Sequence, residues 1–175
     1  MIFEEQFIKG LYLINYNIFK DKRGAFSKFY SDEIFKKKNI NFNIKQVNLS
    51  INPKKYTLRG FHYQNHKDSE FKIIQCLSGS IYNVVIDIRK NSPTYKKWKS
   101  FKLTNYKNIS LLIPKGCANA WLTTKLNTTL LYLHSKNYMP EKELGIKYND
   151  PAFKVKWPHK PNIISKKDLS YNDYK

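Results

Sequence analysis

An all-β sandwich or barrel is what this sequence predicts, and three observations carry it. Short apolar segments recur at regular spacing, proline and glycine punctuate the gaps, and only brief stretches suit a helix. Leu11 to Phe19 alternates and is rich in aromatic and branched residues, which suits the first strand. Ser31 followed by Asp32 to Lys38 predicts a short capped helix. Phe71 to Leu77 and Ile81 to Ile88 flank the turn Ser78-Gly79-Ser80, and Ile109 to Ile113 and Thr128 to His134 add two more strands. Pro93, Pro114, Pro140, Pro151, Pro158 and Pro161 mark loops, and a weaker helix begins after Ser165. Strands this short and this evenly spaced build sandwiches and barrels.

The 175 residues point to one domain with a proper core and a short lysine-rich C-terminal tail. Thirty-two basic residues face 13 acids, a formal charge of +19, so affinity for polyanions has to be weighed. The lysines are spread along the whole length, with no arginine-rich run, zinc-finger spacing or RNA-binding motif. Nucleic acid is therefore not the expected partner, whereas a small molecule bearing a nucleotide would profit from the same field. Cys76 and Cys117 lie far apart without a Cys-x-x-Cys pair, which favours a reducing compartment. Met1 to Gly10 carries Glu4 and Glu5 and no long apolar run, so the expectation is a cytoplasmic chain with no secretory signal or membrane span.

Chemistry concentrates at Leu58-Arg59-Gly60-Phe61-His62-Tyr63-Gln64 and at Lys72, a lone lysine in a segment, Phe71 to Leu77, that otherwise favours a buried strand. His62 can exchange a proton near neutral pH, and a partly buried Lys72 can hold positive charge beside negative charge developing on a substrate. The plain alternative is a surface histidine and a lysine reaching off a strand edge. In Thr128 to His134, strand alternation puts Tyr132 on the face of Leu130 and His134, opposite Leu131 and Leu133. A phenol there is either a proton donor or a core tyrosine. Asp87 is isolated among apolar residues and is expected to leave the apolar face to pair with a nearby cation. Locally, Asp168 looks like a solvated aspartate or a helix-start residue.

His62, His66 and Glu70 are all metal-ligand types spaced four apart, which would share one face of a helix. Their context favours strand and loop, where that spacing means little. Metal-binding barrels of the cupin type pair a His-x-His cluster with a later Pro-x-Gly-x-x-His. Here the chain has His-x-Tyr and then Pro114-Lys115-Gly116-Cys117-Ala118-Asn119, so no metal is expected.

Asp-Lys-Arg-Gly-Ala-Phe (21–26), Gln-Val-Asn-Leu-Ser (46–50), the 58–64 block, Val-Val-Ile-Asp-Ile-Arg-Lys-Asn-Ser-Pro-Thr-Tyr (84–95), Ile-Pro-Lys-Gly (113–116), Asn-Asp-Pro-Ala (149–152), Lys-Trp-Pro (156–158) and Ile-Ser-Lys-Lys-Asp (164–168) follow one another along nearly the whole chain. In order and spacing they resemble the dTDP-4-dehydrorhamnose 3,5-epimerase family. The resemblance implies residues 1–175 as a single cupin-type epimerase domain, a jelly-roll double-stranded β-helix with short flanking helices. It also implies a homodimer with strand exchange and a nucleotide-linked 4-keto-6-deoxy sugar as substrate, with no cofactor. By position it makes His62 the base, Asp168 its dyad partner, Lys72 the cation near the sugar oxygen and Tyr132 the proton donor on the opposite face. Arg23, Phe26, Gln46, Asn48 and Arg59 would surround the nucleotide, the arginines as forks on phosphate.

Two departures bear on specificity. Lys28 stands where the family has glutamate, which reverses charge near the expected nucleotide pocket and leaves dTDP, GDP and CDP open. Asn119, beside Trp121, replaces a histidine at the sugar end, so inversion at C3, at C5 or at both stays open, as do a deoxyhexose and a heptose. Asn119 itself is expected to touch substrate. A catalytically silent sugar-nucleotide binding protein and a 4-keto-sugar ketoisomerase are the alternatives.

Overall fold

The structure is a computed structural model that describes residues 1–65 and 68–174. Strands β1 (Ile2–Glu5), β2 (Tyr12–Asn15), β10 (Ile109–Ile113), β7 (Lys72–Ser78), β12 (Thr128–His134) and β5 (Gln46–Asn52) lie side by side in that order as a six-stranded sheet. A second sheet has the order β13 (Glu143–Gly145), β6 (Leu58–Gln64), β11 (Cys117–Thr123), β8 (Ser80–Asp87) and β9 (Trp98–Thr104). Neighbours within each sheet are antiparallel. The fold is the cupin-like jelly roll that the resemblance implies, with two open sheets facing one another.

Three apolar clusters explain why the central strands are buried on both faces. Ile74, Cys76, Leu111 and Leu130 of one sheet meet Ile81, Val85 and Trp121 of the other between the layers. Ile14, Ile73, Leu112 and Leu133, on the outer face of the six-stranded sheet, pack under Phe35, Ile40 and Phe42. Phe35 belongs to helix α1 (Asp32–Lys37). Phe61, Val84, Ile86, Ala118 and Ala120, on the outer face of the other sheet, are covered by Ile146 and Phe153. All residues of β10 and β11 are consequently buried, and neither strand has an exposed polar face.

The predicted strands at Ile109–Ile113 and Thr128–His134 coincide with β10 and β12, and β7 and β8 fall within one residue of expectation at each end. Leu11 to Phe19 is not one strand. β2 ends at Asn15, where Tyr16 turns in to hydrogen-bond Ser110, and the chain restarts as β3 (Ile18–Asp21). Among the described residues β3 pairs only with β4 (Gly24–Ser27), forming a ribbon separate from both sheets. Ser31 occupies the N-cap of α1 without a side-chain cap bond, whereas Ser165 caps helix α2 (Lys166–Ser170) by accepting from Asp168 N at 3.0 Å. No described helix is long and apolar enough to cross a membrane.

Candidate active site

Between the sheets lies a cavity of about 550 Å³, lined from β6 by Arg59 and His62 and from β11 by Asn119 and Trp121. The opposite wall carries Lys72 of β7, Tyr132 and His134 of β12 and Asn48 of β5. His62 reaches the cavity because β6 runs close to β11. At Gly60 (φ +105°) a Cβ would come within 2.5 Å of the Asn119 carbonyl, so only glycine fits two residues before the histidine.

His62 Nε2 lies 2.7 Å from Asp168 Oδ1, and Gly60 N donates to Asp168 Oδ2 at 3.2 Å. Asp168 is only 3% exposed, which corrects the solvated-aspartate expectation. It opens α2 as a helix-start residue, yet its carboxylate turns inward to the imidazole. Burial pushes the carboxyl pKa up, but the bonds from His62 and Gly60 outweigh it and hold the group below its ordinary value. Asp168 is therefore an ionised acceptor that fixes the Nε2–H tautomer and leaves Nδ1 free to take a proton. Nδ1 lies 3.6 Å from Glu143 Oε1, and Glu143 is itself held by Tyr138 Oη at 2.8 Å and by Lys167 Nζ.

Across the cavity, Trp121 Nε1 donates to the Tyr132 phenol oxygen. Burial pushes the phenol pKa well above its ordinary value, and the Trp121 bond and Arg59 charge offset only part of that. Tyr132 therefore stays a neutral phenol that keeps its proton. Lys72 Nζ lies 3.6 Å from Glu70 Oε1, and Glu70 Oε2 lies 3.0 Å from His134 Nδ1. Burial pushes the Glu70 carboxyl up, but His134 and Lys72 outweigh it and hold it below the usual range.

Asn119 donates to Asn83 Oδ1 at 3.0 Å and to the Val84 carbonyl at 2.9 Å, so its amide oxygen is what remains to meet a ligand. Arg59 sits over the Trp121 ring at 6.0 Å and Asn48 lines the same cavity, with Gln46 bonded to Asn48 at 3.0 Å. Arg23 and Phe26 are elsewhere. They lie on the β3–β4 ribbon, where Arg23 forks onto Asp21 at 2.6 Å and Phe26 is 70% exposed. His66 of the weighed metal set lies outside the described residues.

Glu143, Tyr138 and the His134–Glu70 pair escape sequence reasoning as site residues. Strand alternation already put His134 on the Tyr132 face, and Glu70 precedes Lys72 by two, so the signal for that pair was present. Glu143 follows a proline loop and carries no local signal.

The sequence profile of the dTDP-4-dehydrorhamnose 3,5-epimerase family matches residues 5–175. A dTDP-4-dehydrorhamnose 3,5-epimerase of Sinorhizobium fredii is 33% identical over 171 residues, covering 97% of this chain and 88% of the relative. The crystal structure of the Bacillus anthracis dTDP-4-dehydrorhamnose 3,5-epimerase with TDP and PPi bound superposes with a TM-score of 0.95 at 29% identity, covering 99% of both chains. A 3′-monoepimerase from Streptomyces bikiniensis in complex with dTDP-quinovose superposes at 0.88 with 26% identity, covering 96% of this chain and 85% of that one.

Proposed function

The chain belongs to the dTDP-4-dehydrorhamnose 3,5-epimerase family, and from that premise we propose which of its residues do the chemistry. It is a sugar-nucleotide epimerase, an isomerase that works by moving protons. A ketone at C4 of a nucleotide-linked sugar acidifies the hydrogens on C3 and C5. His62 Nδ1 removes one of them, Asp168 steadies the imidazolium through Nε2–H, and Glu143 balances the charge gained. The resulting enolate oxygen rests on Lys72. Tyr132 returns a proton from the other wall, which inverts the centre. No electron changes hands, so the reaction balances without a redox partner.

The observation that carries this reading is the opposition of an imidazole on one sheet, paired with the α2 carboxylate, to a protonated phenol and an ammonium on the other sheet. Arg59, Gln46, Asn48 and Asn119 are assigned to the substrate. Residues 1–175 are taken as one epimerase domain, and a homodimer with strand exchange would bring Arg23 and Phe26 of the exposed ribbon to a cavity. Two buried free thiols, Cys76 and Cys117, fit a reducing compartment, and we assign the chain to the cytoplasm.

The test is incubation in deuterated water with dTDP-, GDP- and CDP-linked 4-keto sugars, both deoxyhexoses and heptoses, followed by locating the deuterium. Wash-in at C3, C5 or both identifies the inverted centre. His62→Asn should abolish it, and exchange at the wild-type rate in that variant removes His62 from the mechanism. Ligand binding without exchange would mark a silent binder, and a displaced carbonyl a ketoisomerase.

A further inference from the structure

A second imidazole–carboxylate pair, His134–Glu70, sits on the sheet opposite His62, beside Lys72 and Tyr132. A run of hydrogen bonds leads into it. Tyr138 N donates to Gln46 Oε1 at 2.7 Å, Gln46 Nε2 donates to Asn48 Oδ1 at 3.0 Å, and Asn48 Nδ2 lies 3.4 Å from His134 Nε2. Each link fixes the direction of the next. Because a backbone N–H occupies the Gln46 oxygen, its amide nitrogen must be the donor, so Asn48 accepts through Oδ1 and donates through Nδ2. His134 then accepts at Nε2 and donates from Nδ1 to Glu70, and a neutral imidazole satisfies the whole run. Sheet register makes this arrangement: Gln46, His134 and Lys72 are Cα partners in one row across β5, β12 and β7. The His134 ring also stacks on Tyr132, with centroids 5.8 Å apart and planes 18° from parallel.

We infer that His134 is a positioning residue for the epimerisation: it engages one oxygen of Glu70, keeps that carboxylate from closing on Lys72, and so leaves the ammonium available to the enolate oxygen. The hydrogen bonds through Asn48 and Gln46 tie this adjustment to the end of the cavity assigned to the nucleotide. Lys72 and Glu70 stand at 3.6 Å, beyond the roughly 2.8 Å of a closed ammonium–carboxylate contact. A buried carboxylate that loses one donor recovers it from the nearest other one, here Lys72.

This inference rests on Lys72 as the enolate cation, and the experiment separates the two. A dTDP-linked 4-keto-6-deoxyhexose that the wild type exchanges is the probe, and kcat and KM are read from deuterium wash-in. His134→Phe keeps the stack on Tyr132 but deletes both hydrogen bonds. It should lower kcat about 10- to 100-fold while KM stays within about threefold. Adding Glu70→Gln to that variant should restore most of kcat, because the carboxylate that draws Lys72 away is gone. His134→Gln, which can still donate to Glu70, should lose less than His134→Phe and covers the case in which the phenylalanine variant does not fold. A purely structural role would leave the double variant at least as impaired as His134→Phe. That result, or an unimpaired His134→Phe, overturns the inference. Lys72→Met distinguishes the failures. Wild-type exchange in Lys72→Met takes down the proposed mechanism along with the inference, whereas an inactive Lys72→Met beside an unimpaired His134→Phe takes down the inference alone.

Discussion

Tyr132 is where proton removal and inversion come apart, because a donor on the far wall is needed only after the enolate exists. In Tyr132→Phe, solvent deuterium should still wash in with retained configuration, while net epimerisation falls by roughly two to four orders of magnitude. The phenyl ring fills nearly the same space, so a cavity cannot account for the loss. Trp121 Nε1 does lose its acceptor, at a cost of about 1–3 kcal/mol, so a lowered melting temperature should accompany the kinetic change. Normal epimerisation with only that thermal loss would make Tyr132 a core tyrosine and leave His62 and Lys72 in need of another donor. His62, Lys72 and Tyr132 were legible as candidates from residue type and strand alternation, which are local properties, but each kept a structural alternative until the family resemblance gave it a role. Asp168 was not legible on local grounds, since its partner lies 106 positions away. A helix-start aspartate with a serine cap looks the same whether its carboxylate faces water or an imidazole.

Elements read well wherever each strand keeps one role. β10 and β12 were legible as apolar runs, whereas β11, Cys-Ala-Asn-Ala-Trp-Leu-Thr, carries no alternation because both of its faces are covered. Leu11 to Phe19 misled for the opposite reason. Its alternation continues smoothly across Tyr16, but Ile18 and Phe19 are 42% and 63% exposed on a ribbon that the core does not hold. The expectation that Asp87 turns to a cation is met at the end of β8. Arg89 donates to it from Nε and Nη2 at 2.8 Å, and Ser92 and Thr94 donate at 2.6 Å. Burial pushes this carboxyl up, but those donors outweigh it and hold it at about 2, against an ordinary 3.8. A depressed folded-state value adds stability that is complete above 3.8 and is lost as pH falls through about 2. Its size is at most roughly 2 kcal/mol, less solvent screening on the Arg89 side. Denaturant unfolding followed from pH 6 to pH 2 should therefore show a steeper acid loss in the wild type than in Asp87→Asn. Parallel curves would mean that the β8 turn contributes nothing to acid sensitivity.

At the scale of the whole molecule, charge and shape oppose each other. A net +19 drives copies apart, yet Val47, Leu49 and Ile51 form a stripe 55–71% exposed along β5, at the edge of the six-stranded sheet. The β3–β4 ribbon adds Phe19 and Phe26, and a two-stranded ribbon is at best marginally stable unless something packs on it. A second copy of the chain would supply both needs, a strand edge to extend and an apolar surface to cover. Apolar contact would hold such a dimer against its own charge, so salt that screens the repulsion should tighten it. Sedimentation equilibrium should give a dimer whose dissociation constant falls as ionic strength rises from about 0.02 to about 0.5 M. Leu49→Lys puts one more positive charge into each copy of the stripe and should yield a folded monomer. Because Leu49 also borders the cavity, the readout for this contact is the oligomeric state of the variant and not its activity. A wild-type protein that stays monomeric at all salt concentrations would remove strand exchange from the account, and the ribbon's exposed aromatics would then need another cover.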